Sequence, residues 1–248
     1  MTADKNDLAA ERQETKRLMQ LNYARQTPEM LYTLLFHADL RVRKKAQFEL
    51  VARKDKGLPF LQKALTQTEH QLARIHGIWG IGQLARQNKT YAAPLIPLLQ
   101  DKDPEIIAQV LKTLGDAEIA NVGDQIIPFL KHANYRVRFF AAEALGQLAV
   151  PSAVAPLIQM LERNNDEDVY LRHAAVLALS RIGKVEPVIA LARNPNKALR
   201  TAAVLVLRRL ENEQIALFLN DSDEYIATEA AQAINDDLSI PAALPALA

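Results

Sequence analysis

A five-position pattern returns seven times along the chain, and it limits the fold more than any other feature. In "DLRVRKKAQFEL" (39–50), Val42, Ala46 and Leu50 stand four residues apart, the spacing of one helix face, and Arg43 follows the first of them. "NYRVRFFAAEAL" (134–145) repeats this with Val137, Ala141, Leu145 and Arg138. The full series at the arginine slot is Arg43, Arg74, Ile107, Arg138, Arg172, Arg200 and Ala227, at spacings of 31, 33, 31, 34, 28 and 27 residues. Three residues after the slot stands a small or slender residue, and seven after it Leu or Ile. Four before it stands Asp39, Asp103, Asn134, Asp168, Asn196 or Asp223, with His70 in the second copy. Asp and Asn there are expected to cap a helix by accepting from the free N–H groups of its first turn.

Each copy has an apolar helical stretch upstream, such as "GLPFLQKALT" (57–66) or "SAVAPLIQMLER" (152–163). Prolines near the start of these stretches are tolerated; further in they kink the helix. A two-helix unit of about 30 residues cannot cover its own apolar face, and stacking on its neighbours covers it. The pattern predicts an all-α fold, a right-handed α-solenoid of about seven two-helix repeats. A capping helix is expected in residues 1–26, the repeats in 27–237, and a tail or linker in 238–248.

The arginine slot falls in the first helical turn, where a cation opposes the helix dipole. A carbonyl or carboxylate is therefore expected to hold each guanidinium. The neighbouring repeat's Asp, about one unit away, predicts a structural ladder of Arg43, Arg74, Arg138, Arg172 and Arg200. Ile107 interrupts it without an explanation in the sequence.

Composition removes whole classes of chemistry. With no cysteine, the chain has no disulfide, thiolate metal site or cysteine nucleophile. No apolar run approaches the ~20 residues of a membrane span. The opening "MTADKNDLAAERQETKR" lacks the apolar middle of a secretion signal, so no targeting signal is expected. Residues 1–100 hold 16 Lys/Arg against 9 Asp/Glu, whereas 101–248 hold 14 against 20. That imbalance falls short of the clustered excess of a nucleic-acid binder.

No phosphate-binding loop, dinucleotide fingerprint or nucleophile elbow is present. The five histidines, His37, His70, His76, His132 and His173, form no HxxxH or HxxH pair, so no metal site is expected. No catalytic residue, cofactor or metal is assigned, and the chain is read as a non-enzyme. One face stands out. Helical geometry turns the residues one and five after the arginine slot toward the expected concave surface. There Phe48, Ile75, Trp79, Phe139, His173, Leu177 and Leu205 replace the usual charges. They predict a partly apolar groove that binds a protein domain or peptide.

The repeat resembles HEAT repeats over residues ~28–237, in the short form also seen in bilin-lyase-like proteins. "LARIHGIWGIGQLAR", "RVRFFAAEALGQL", "DVYLRHAAVLAL" and "EAAQAINDDLSIPAALPALA" are further similar to the HEAT segment of large bacterial PQQ-dehydrogenase-like proteins. In that family a β-propeller precedes the segment and a c-type haem domain often follows it. This resemblance implies the middle of an exported, periplasmic parent, with the propeller or cytochrome domain as partner. No residue of that parent's catalytic or haem-binding machinery can be carried over. The expected function is a non-catalytic scaffold. A bilin-lyase-like chaperone subunit and a HEAT-like DNA glycosylase are the alternatives.

Overall fold

The structure is a computed structural model that describes residues 9–236 and 240–247. Residues 1–8 of the expected cap, and 238, 239 and 248 of the expected tail, lie outside the described residues, as does 237. Among the described residues there are helices and no strand. The chain divides into two compact units, one ending at Ala117 and one beginning at Glu118.

The first unit holds α1 (Ala9–Met19), α2 (Pro28–Leu34), α3 (Leu40–Ala52), α4 (Leu58–Leu65), α5 (Gln71–Gln87) and α6 (Pro104–Asp116). Between α5 and α6 the segment Lys89–Gln100 winds as a 3-10 helix. Pro94 and Pro97 explain the tighter winding, because each removes an N–H that an α-helix would use. The second unit holds α7 (Gly123–Ile126), α8 (Tyr135–Gln147), α9 (Val154–Asn164), α10 (Val169–Ile182), α11 (Val185–Ile189), α12 (Lys197–Arg209) and α13 (Glu224–Asp236). Short 3-10 segments extend α7 and α11 and precede α13. The final segment, Pro241–Leu247, is also 3-10 and packs on α13 and on Glu213–Phe218. Ile240 and Ala243 are buried there.

The repeat positions build the core of each unit. Val42, Ala46 and Leu50 of α3, Ile106, Val110 and Leu114 of α6, and Val137, Ala141 and Leu145 of α8 are fully buried. Leu171, Ala175 and Leu179 of α10 and Leu199, Ala203 and Leu207 of α12 follow the same rule. Cutting a buried leucine of this set to alanine costs ~2–5 kcal/mol.

The six Asp and Asn side chains accept from first-turn N–H groups of their helices. Asp39 accepts from Arg41, Asp103 from Glu105 and Asn134 from Arg136 and Val137. Asp168 accepts from Tyr170 and Leu171, Asn196 from Ala198 and Leu199, and Asp223 from Tyr225 and Ile226.

The guanidiniums do not form one uniform ladder. Arg74 donates to Leu65 O at 2.9 Å and pairs with Asp101, in the turn of the next repeat. Arg200 donates to Asn194 O at 2.9 Å and pairs with Asp221, again one repeat on, through its Nε at 2.7 Å. Arg43 instead donates to His37 O and Ala38 O, both at 2.6 Å, and Arg138 to His132 O at 2.7 Å. Those carbonyls belong to the turn before their own helix. Arg172 pairs with Asp166 of its own turn at 3.2 Å.

The difference lies two residues before the helix cap. Asp101 and Asp221 occupy that position in the turns that receive Arg74 and Arg200. The turn after Arg43 offers Thr68 there, and the turn after Arg172 offers Asn194. The turn after Arg138 does carry a carboxylate there, Asp166, but it pairs with Arg172 of its own helix, and Arg138 holds the carbonyls of its own turn, as Arg200 also does beside its forward pair. Ile107, at the interrupted slot, is a buried apolar side chain.

Candidate functional site

The face predicted from the sequence is divided between the two units, and its members differ in what they meet. In the first unit, Phe48 and Trp79 are 45% and 37% exposed, with the Lys44 ammonium 5.4 Å from the Phe48 ring centre. Ile75 is only 6% exposed, which corrects its assignment to an open surface. It sits on α5, which packs against α3 on one side and α6 on the other, and so faces a neighbour. In the second unit His173 is exposed, while Phe139, Leu177 and Leu205 are half-buried.

Around Trp79 the structure shows a chain of polar contacts that the sequence did not reveal. The Trp79 indole N–H donates to Gln109 Oε1 at 2.7 Å, and Gln109 Nε2 donates to Glu105 at 2.7 Å. His76, on the preceding turn of α5, is 2% exposed and meets the Trp79 ring edge-on, with centres 5.1 Å apart. Its Nδ1 lies 2.6 Å from Gln47 Oε1 of α3, so Nδ1 carries the proton. Gln47 Nε2 continues to Gln83 at 3.3 Å.

Burial holds the His76 pKa down at about 4, and the nearby Arg43 guanidinium adds to the effect. His76 is therefore a neutral hydrogen-bonding residue near pH 7. The stretch "IHGIWG" (75–80) follows from this packing. A Cβ on Gly77 would stand 2.8 Å from Leu61 O, and one on Gly80 would stand 2.7 Å from Leu61 Cδ2. The two glycines let α5 approach α4 closely.

Two other histidines have plain structural work. Nδ1 of His37 accepts from Asp39 N, and Nδ1 of His132 from Asn134 N, each at 3.0 Å. Both side chains close the turn before a helix, two residues ahead of its cap. No group of three or more His, Asp or Glu among the described residues is arranged to hold a metal ion.

The second unit contains an open groove of about 450 Å³ between α10 and α12. Val169, Arg172, His173 and Val176 supply one wall, at positions i, i+3, i+4 and i+7 of one helix face. Leu205, Arg208 and Arg209 supply the other, at i, i+3 and i+4. Three arginines thus line the groove beside Val169, Val176 and Leu205, and no carboxylate lines it. Among the described residues Arg172 pairs with Asp166, outside the groove, and neither Arg208 nor Arg209 has an acidic partner.

Sequence reasoning found His173 and Leu205 of this groove and gave Arg172 a different role. It missed Val169, Val176, Arg208 and Arg209. The signal was present as the three-and-four spacing, but the pairing of those two faces is a tertiary fact. A larger cleft, about 880 Å³, lies between α1 and the turn before α3. Its lining mixes both signs: Arg41 pairs with Asp39 and Glu14 with the neighbouring Arg17, and Glu11, Arg12 and Lys16 line it as well.

The profile of HEAT repeats matches residues 123–208, which lie in the second unit. The chain is 33% identical over 106 residues to the bilin biosynthesis protein PecE of Mastigocladus laminosus, a match covering 42% of this chain and 38% of that protein. It is 34% identical over 95 residues to the phycocyanobilin lyase subunit alpha of Synechococcus elongatus, covering 38% of this chain and 30% of the relative. The matches therefore span about a third of the length of these curated relatives. Among solved structures, the complex of CpcE and CpcF of phycocyanin lyase from Nostoc sp. PCC7120 is similar in fold. The TM-score is 0.51 at 18% identity, covering 92% of this chain and 96% of that one.

These likenesses correct one expectation. The absence of a catalytic motif predicts a non-enzyme, yet one relative is a lyase subunit and the fold neighbour is from a lyase complex. A helical-repeat chain without a recognisable triad, phosphate loop or metal cluster can still be part of an enzyme. None of the three proteins is a dehydrogenase. No helix among the described residues is long and apolar enough to cross a membrane.

Proposed function

We propose that this chain is a HEAT-repeat subunit of a bilin lyase, a protein that holds an open-chain tetrapyrrole for attachment to its acceptor. The observation that carries the reading is the identity of 33% and 34%, over about a hundred residues each, to two proteins of bilin biosynthesis and attachment. The resemblance to short HEAT proteins read from the repeat points the same way. A partner chain belongs to the proposal: one relative is a subunit, and the fold neighbour is a complex of two proteins. The dehydrogenase-like parent suggested by the sequence resemblance has no counterpart among these relatives.

The test is spectroscopic. The purified chain, alone and with a candidate partner subunit, is mixed with phycocyanobilin and the absorption spectrum is followed. Binding in a defined conformation should sharpen the long-wavelength band and shift it to the red. A spectrum that stays that of the free bilin, with the partner and without it, would remove the proposal.

A further inference from the structure

We propose that the groove between α10 and α12 binds the carboxylate-bearing part of an apolar ligand, through Arg208 and Arg209 with Arg172 as the third cation. The proposal that this ligand is a bilin rests on the function proposed above. The chemical class, an apolar molecule carrying carboxylates, rests on the groove alone.

The charge pattern carries the argument. Seven residues line the groove: three are arginines, one is a histidine, and the rest are valine or leucine. Cations that line one open groove repel one another through water, and no carboxylate lines it to offset them. An anion relieves that repulsion, and the planar fork of arginine matches the two oxygens of a carboxylate.

Position in the helices accounts for only part of the cluster. Arg208 and Arg209 lie in the last turn of α12, where a cation complements the helix dipole. Arg172 lies in the first turns of α10, where it opposes the dipole, and a single pair with Asp166 leaves it further donors. The apolar floor selects among anions. Inorganic phosphate or sulfate would satisfy the guanidiniums and leave Val169, Val176 and Leu205 in contact with water. A molecule with a flat apolar skeleton and short carboxylate arms satisfies both. A bilin, with two propionates on a conjugated chain of four rings, has that form. A volume of about 450 Å³ falls within the range of small-molecule sites.

The experiment compares phycocyanobilin with its dimethyl ester, and the wild-type chain with the double variant Arg208→Ala/Arg209→Ala, by fluorescence or absorbance titration. The free acid should bind the wild type at least about tenfold more tightly than the ester, since two charge-assisted contacts are lost on esterification. The double variant should bind the acid about as weakly as the ester, and Arg208→Lys/Arg209→Lys should restore part of the difference. Circular dichroism checks that the variants are folded, and the ester comparison on wild type stands whether or not they are.

Free acid that binds the double variant as tightly as wild type, or ester that binds as tightly as acid, overturns the groove as the site while leaving the proposed function in place. If the bilin does not bind, the same titration with oleate separates the two ideas. Arginine-dependent oleate binding keeps the carboxylate groove, and bilin that binds neither the chain nor the chain with its partner subunit removes the bilin lyase reading. No binding of either ligand, with the partner subunit and without it, removes both.

Discussion

The same repeat is finished in two ways in the two units. In the first, the seam between successive second helices carries polar side chains: Gln47, His76 and Gln109, with Trp79 joined to them. In the second, the positions that correspond to Gln47 hold Ala142, Val176, Val204 and Ala231, and those that correspond to His76 hold Phe140, Ala174 and Ala202, with Glu229 in the last copy. The first seam is closed by hydrogen bonds that hold its helices in one register. From α8 to α12 the second is closed by apolar packing, and its arginines stand along an open groove. One scaffold can thus be locked in one place and left ready for a ligand in another, by changing residues that the repeat itself does not fix.

The largest effect that would break this comparison is expected at the buried ion pair of the first unit. Arg74 is 4% exposed, and Arg74→Ala would leave Asp101 partly buried with its main partner gone. Burial alone would push the Asp101 pKa up, and the Arg74 hydrogen bond helps to outweigh it. A loss of ~3 kcal/mol is expected in urea unfolding.

A similar effect is expected from acid. His76 has a pKa of about 4 in the folded chain against 6.5 when unfolded. Between those values the unfolded state binds the extra proton, so stability is complete above about pH 6.5 and is lost as pH falls toward 4. The loss from this one residue should reach ~3 kcal/mol. His76→Gln should show a flatter stability profile over that interval. A variant profile as steep as wild type would show that the slope comes from elsewhere.

A counterpart in the second unit is Gly146. A Cβ there would stand 2.6 Å from Ala178 Cα, so Gly146→Ala must push α8 and α10 apart. A cost of ~1–3 kcal/mol is expected. The smallest effect is expected from Trp79→Phe, which removes the donor to Gln109 Oε1 and should cost ~1–2 kcal/mol by thermal unfolding. If Trp79→Phe is neutral, the hydrogen-bonded seam of the first unit contributes little, and the contrast between the units reduces to shape.

Much of the fold was legible in the residues. Spacing alone placed the second helices, their caps and their buried faces, because a helix repeats its face every three to four residues whatever surrounds it. The candidate sites were less legible. Ile75 and Trp79 are four apart on one helix face, yet one is buried and the other is open, because α3 and α6 cover only part of α5. The arginines differ for a comparable reason: the repeat places each guanidinium, and its partner depends on which carboxylate stands in the adjoining turn and whether another arginine already holds it.

The amino-acid sequence by itself determined the repeat, its helical register and which face of each second helix is apolar, since these follow from local geometry and from the free energy of removing apolar surface from water. Only the tertiary structure decided that His76 is neutral and bonded to Gln47, and that Arg172, Arg208 and Arg209 share one groove. Those contacts join residues about 30 positions apart, and their existence depends on how two helices are set side by side, which no local pattern specifies.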